Sequence, residues 1–348
     1  MAYGEEIAAP VVPDAGAAPV ETATGAAPDG PIAPSARGEV GGGSRKSIFA
    51  SLDLPQFRWL FASNTAFFLA MSGQSVLRSW LVFQITGNEL ALGLISALVA
   101  VPMLLMAPVG GIFADRFDRR RVVAAGQLLV IGGELAVFAL LVSGHLEYWH
   151  LLLMEATMGT AFPLIMPARQ AIIANTVGRA RMTNAMALNM AAVSTTRVVG
   201  PALAGFAIAR IGIARAYGAN VVLYVTALAC LHGVNRALPT GERRSISQSM
   251  KEGMRYVGSD RLVRVLLFFG LVPMFLVMPF QNLLVVFADK VWKVGPEGLG
   301  LLSAAAGAGG LVGAVAVAWR TDTKGRLRSM MTAAVAFGSL LFLFALSP

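Results

Sequence analysis

From Phe57 onward, long apolar runs alternate with short polar breaks. A helix needs ~20 residues to cross the ~30 Å hydrocarbon core of a bilayer. Runs of that length fall at about 58–86, 91–113, 121–143, 149–174, 183–209, 215–238, 262–288, 298–319 and 330–346, so nine spanning helices are expected. Residues 1–44 are rich in Ala, Pro and Gly and end in GEVGGGSR, without the apolar periodicity that would offset the entropy of ordering. They read as a disordered tail. The opening MAYGEEIAAP carries acids where a secretory signal has bases. The longest internal break, 239–261, is basic and amphipathic and is expected to lie along the cytoplasmic membrane face. The chain thus divides into a tail (1–44), a six-helix bundle (45–238), a linker (239–261) and a three-helix partial bundle (262–348).

Composition sharpens this reading. Hydrophobic residues make up 56% of the 348 and charged ones 14%, against about 25% charged in soluble domains. The fold class is therefore all-α, polytopic and membrane-embedded. The net charge of +9 comes from short arginine clusters between spans, and no basic stripe carries interleaved stacking aromatics, which excludes nucleic acid as partner. Placing the amino terminus in the cytoplasm puts twenty-two Lys and Arg inside and leaves four outside: Arg210, Arg215, Lys290 and Lys293. That asymmetry expects a multi-pass protein of the cell membrane, the inner or plasma membrane of a bacterium. The lone Cys230 can form no internal disulfide, and His145, His150 and His232 are scattered, so no metal site is expected. SAAAGAGGLVGAVAVAW at 303–319 lacks nucleotide-loop spacing and a Walker lysine. With no cofactor and no ATP site, energy would come from an ion gradient or downhill diffusion.

GGIFADRFDRRRVV, 110–123, concentrates charge between the second and third runs. Gly110 and Gly111 would let neighbouring helices approach closely, since small residues drive association where lipid offers no hydrophobic gain. The stretch resembles the helix 2–3 loop of the major facilitator superfamily, G-x-x-x-D-R-x-G-R-R. Gly111, Asp115, Arg116, Arg119 and Arg120 match, and Asp118 stands where glycine is usual. GAVAVAWRTDTKGRLRS at 313–329 resembles a degenerate copy, with Asp322 and Arg326 at the spacing of Asp115 and Arg119. MPARQAIIANTVGRARMTNAMALN (166–189), RVVGPALAGFAIA (197–209) and the 82–111 run resemble the enterobactin-exporter and macrolide-efflux-like branch. The resemblance spans about 57–345. It implies a fold of two six-helix halves working by alternating access, with the loop as a conformational latch. Against the family's twelve helices, nine spans make a carboxy-terminally incomplete chain the expectation.

Charges inside spans are costly and usually functional. Four stand out: Arg78, Glu134, Glu155 and Arg197. Glu155 sits where exporters of the superfamily often carry a proton-transfer arginine, four residues before Gly159. It is a proton-coupling or cationic-substrate candidate, or a structural partner of another helix. Arg78, with Gln74 one turn earlier, would face the central cavity and hold an anionic or polar substrate, or snorkel to the headgroups. Arg197 is a substrate candidate whose guanidinium would otherwise fix an interhelical contact, and Glu134 is expected to be structural on a peripheral helix. GPALAG resembles the exporters' helix 5 signature through Gly200, Pro201 and Gly205, and Gly-Pro there would kink the helix.

The functional expectation is a monomeric secondary exporter that exchanges protons for amphipathic small molecules such as siderophores or antibiotics. Two alternatives stand beside it. A membrane-embedded lipid-modifying enzyme would need a nucleophile–base or His/Asp cluster at one membrane depth. A non-transporting truncated membrane protein would need none.

Overall fold

Helices begin here where a side chain accepts the first unpaired backbone N–H groups. Asn88 Oδ1 accepts from Leu90 N at 2.9 Å, Asp118 Oδ1 from Arg120 N at 3.1 Å, and Asp260 Oδ1 from Leu262 N at 2.8 Å. Glu147 and His150 form a reciprocal capping box, which gives one of the scattered histidines a structural task. The computed structural model describes residues 49–235, 253, 255–319 and 326–346. The tail at 1–44, most of the linker at 239–261 and Asp322 lie outside the described residues.

Among the described residues the helices are α1 (Pro55–Thr86), α2 (Glu89–Arg116) and α3 (Arg119–Val142), then a run Tyr148–Ile211. That run contains one non-helical residue, Gly178, at φ 68° and ψ 175°. A side chain rarely tolerates this conformation, so glycine turns the chain there in a single step. We label its arms α4 (148–177) and α5 (179–211). Then follow α6 (Ile213–Leu231), α7 (Arg261–Val286), a π-helical turn Phe287–Val291, α8 (Gly295–Trp319) and α9 (Arg326–Ala345). Among the described residues nine helices thus stand near the nine expected spans, with shifted ends. The polar break expected between 174 and 183 is instead helical on both sides of Gly178, and α6 stops at Leu231, not at 238.

Six of the helical runs, counting Tyr148–Ile211 once, are long and apolar enough to cross a membrane. Helix α1 is central, burying Phe57, Leu60, Phe67, Leu77 and Trp80 along its length. Outward faces carry bare Leu105, Leu128, Leu203, Phe206 and Val222, as befits helices solvated by hydrocarbon.

Small residues set the crossings. A Cβ at Gly110 would run into the Pro163 carbonyl, so α2 and α4 touch backbone to backbone; at Gly111 it would meet nothing within 4 Å. Only the first of the two glycines is a packing residue. Gly200 lies against Ser72 and Gly73 of α1, and a Cβ on Gly300 of α8 would come within 2.7 Å of the Pro201 carbonyl of α5. Pro201 itself stays inside the helical run with helical φ/ψ. Its missing N–H leaves the Arg197 carbonyl without its helical partner, and Gly307 of α8 packs on that same oxygen. The signature therefore builds a tight α5–α8 crossing.

Gly110→Val should cost about 1–3 kcal/mol by overpacking, while Gly111→Ala should leave stability within error. Thermal unfolding of the two variants in detergent checks the contrast.

Candidate transport cavity

The charges singled out within the spans converge. Arg78 of α1 donates through Nη2 to Glu134 Oε1 of α3 at 2.5 Å and through Nη1 to Glu155 Oε1 of α4. Gln74 Nε2 donates to Glu134 Oε2 at 2.8 Å and to the Tyr217 hydroxyl of α6 at 2.9 Å. Tyr217 donates in turn to Glu134, and Asn220 of α6 donates to Gln74 Oε1. Arg78, Gln74 and Glu134 are all buried. Arg78 thus does not snorkel: it is buried, with both terminal nitrogens engaged by carboxylates. Glu134 is not peripheral: it accepts from three side chains on two other helices.

The two carboxylates are unequal. The Glu134 side chain is 1% exposed and that of Glu155 10%. Glu155, not Glu134, lines a cavity of about 630 Å³ between α1, α2, α4, α5, α6, α7 and α8. Its walls mix apolar surface from Met71, Met103, Met158 and Phe162 with Gln74, Arg78, Ser194, Arg197 and Gln281. At one end, Ser79 Oγ donates to Asn282 Oδ1 of α7 at 2.8 Å and Asn282 Nδ2 donates to Ser96 Oγ of α2 at 2.7 Å. Further toward the same end, Lys290 meets Glu89 at 2.5 Å and Arg210 faces Glu297 at 3.6 Å. These exposed pairs join the first six helices to the later ones, though each contributes little by itself.

The loop residues behave differently. Asp115 is exposed and makes no hydrogen bond or ion pair within the described residues. Arg119 Nε donates to the Ala114 carbonyl at 3.3 Å, while Asp118 caps α3 and faces Arg121 at 3.9 Å. Arg116 and Arg120 are half-buried. In this conformation Asp115 pairs with none of the described arginines of its own loop. Arg326 opens α9, and its side chain lies outside what the structure describes.

Tyr217 and Asn220 were not foreseen, and neither was a second buried cluster. Arg169, counted by sequence with the cytoplasmic basic groups, is 2% exposed. It donates to Asn64 Oδ1 and lies 4.4 Å from the centre of the Phe67 ring. Asn64 Nδ2 donates to Asn189 Oδ1 at 2.8 Å, which ties α1, α4 and α5 together. Among the described residues no cluster of three or more His, Cys, Asp or Glu is placed to hold a metal.

The model of the transmembrane secretion effector family matches residues 46–348. The chain belongs to that family of the major facilitator superfamily. It is similar to the multidrug efflux pump Tap of Mycolicibacterium fortuitum, at 27% identity over 77% of this chain and 68% of the relative. Macrolide efflux protein A of Streptococcus pyogenes is 22% identical over 69% of this chain and 61% of its own length. A crystal structure of peptide transporter POT in complex with sulfate aligns over 70% of this chain and 54% of its own, at 18% identity and TM-score 0.45. As a member of the superfamily the chain is a multi-pass membrane transporter and not an enzyme.

For this transporter the shared arginine sets a stability test. Removing one partner of a buried ion pair costs about 3–5 kcal/mol. Arg78→Gln should destabilise by that order, and adding Glu134→Gln should recover part of the loss. A double-mutant cycle on thermal midpoints reads the coupling.

Proposed function

We propose that the chain exports amphipathic small molecules by alternating access, with protons as the counter-ion and Glu155 as the group that exchanges them. The observation that carries this reading is the unequal triad. One guanidinium faces two carboxylates, so one negative charge is left over, and only Glu155 meets the cavity where a proton or a cationic group can cancel it. Export rather than import is supported by the relatives, which are named efflux pumps. The amphipathic substrate class is supported by the lining, where methionine and aromatic surface alternates with serine and amide groups. In this reading the protein works as a monomer in the bacterial inner membrane with its amino terminus in the cytoplasm, as the arginine asymmetry favours.

In proteoliposomes, Glu155→Gln should lose dye efflux driven by an imposed pH gradient yet keep downhill exchange of the dye. Driven efflux unchanged in that variant rejects the assignment.

Asp115 fits the latch role in a second conformation, where it would accept hydrogen bonds from the opposite half. Asp115→Asn should reduce driven efflux severalfold while membrane insertion, read by detergent-extractable yield, stays at the wild-type level.

A further inference from the structure

Arg197 is the cavity charge that the triad does not use. Ser194, Arg197 and Pro201 are spaced three and four apart, on one face of α5, and all three line the cavity. The arginine's backbone is pinned, because Gly307 of α8 packs on its carbonyl. Its guanidinium makes no hydrogen bond or ion pair with any described residue. Arg78 lines the same space with both terminal nitrogens spent on Glu134 and Glu155. Arg78, Arg197, Glu134 and Glu155 sum to zero when both carboxylates are ionised, but the charges are unevenly placed. The surplus negative charge sits with the α1–α3–α4 triad, and the positive charge without a partner among the described residues sits on α5. A guanidinium in a largely apolar cavity gains most from a planar oxyanion that accepts two of its N–H groups.

We infer that Arg197 binds an anionic group of the substrate, so that the preferred cargo is amphoteric: an acidic group on Arg197, an apolar body along Met71, Met103 and Phe162, and a basic group near Glu155. The inference rests on the transport reading above and deepens it. Only the basic end would alternate with a proton at Glu155, while the acidic end selects the cargo.

Rhodamine 110 and rhodamine 123 make the test, since they share a cationic ring system and differ by a free carboxylate against its methyl ester. Binding of each dye to the 348-residue chain in nanodiscs is measured by fluorescence anisotropy at neutral pH. A charge-assisted pair of this kind should favour rhodamine 110 about tenfold or more. Arg197→Gln should erase that preference by weakening rhodamine 110 alone, and Arg197→Lys should keep part of it. Equal affinities in the unsubstituted chain overturn the inference without any variant, and so does Arg197→Gln weakening both dyes alike; either leaves the transport reading in place. If the folded chain binds neither dye, the cavity reading fails and takes this inference with it.

Discussion

A single guanidinium, shared between two carboxylates from different helices, is the constraint on which the amino-terminal helices depend. Taking Arg78, Glu134 and Glu155 out of water is expensive. The expense is offset only by close geometry and by further donors. Gln74 and Tyr217 supply those donors to Glu134, and Asn220 closes the chain through Gln74. The result joins α1, α3, α4 and α6 through side chains that have no alternative partner in lipid. Hydrophobic attraction does not distinguish one helix face from another in a bilayer, so this polar set helps to specify which faces meet.

The same arrangement divides labour between two residues of one type. Glu134 has three donors and no access to the cavity, whereas Glu155 has one donor among the described residues, Arg78, and a side chain that reaches the open space. Chemistry follows from that difference in access. The family assignment agrees with a central cavity of this kind, and the geometry names the residue at which its contents meet the triad.

Much of this was legible in the sequence. Apolar run length located the helices, and each charge within a run was visible as an anomaly that needed a purpose. What could not be read was partnership, because Arg78 reaches acids 56 and 77 residues away. Tyr217 and Asn220 carry no charge and so raised no alarm, although both are polar groups inside an apolar run. The partners of Arg169 were hidden because an arginine near a helix end resembles a topogenic one until its burial beside Asn64 and Phe67 is seen. The turn at Gly178 escaped because a single residue at positive φ leaves the apolar pattern on either side undisturbed. Gly110 and Gly111 are identical in sequence terms, and only the approach of Pro163 separates them.

The two seams between early and late helices differ in the atoms they are made of. At Ser79, Asn282 and Ser96 the contact is a chain of directed hydrogen bonds, which must be given up before the surfaces can part. Where α5 meets α8, Gly205, Gly300 and Gly307 face main-chain carbonyls and α-carbons. At these glycines there are no rotamers to reset, and the exposed Arg210–Glu297 pair at the end of the seam contributes little, so a swivel of one helix on the other would meet little resistance there. The proline that deprives Arg197 of an internal bond thereby supplies the smooth track on which such a pivot would run.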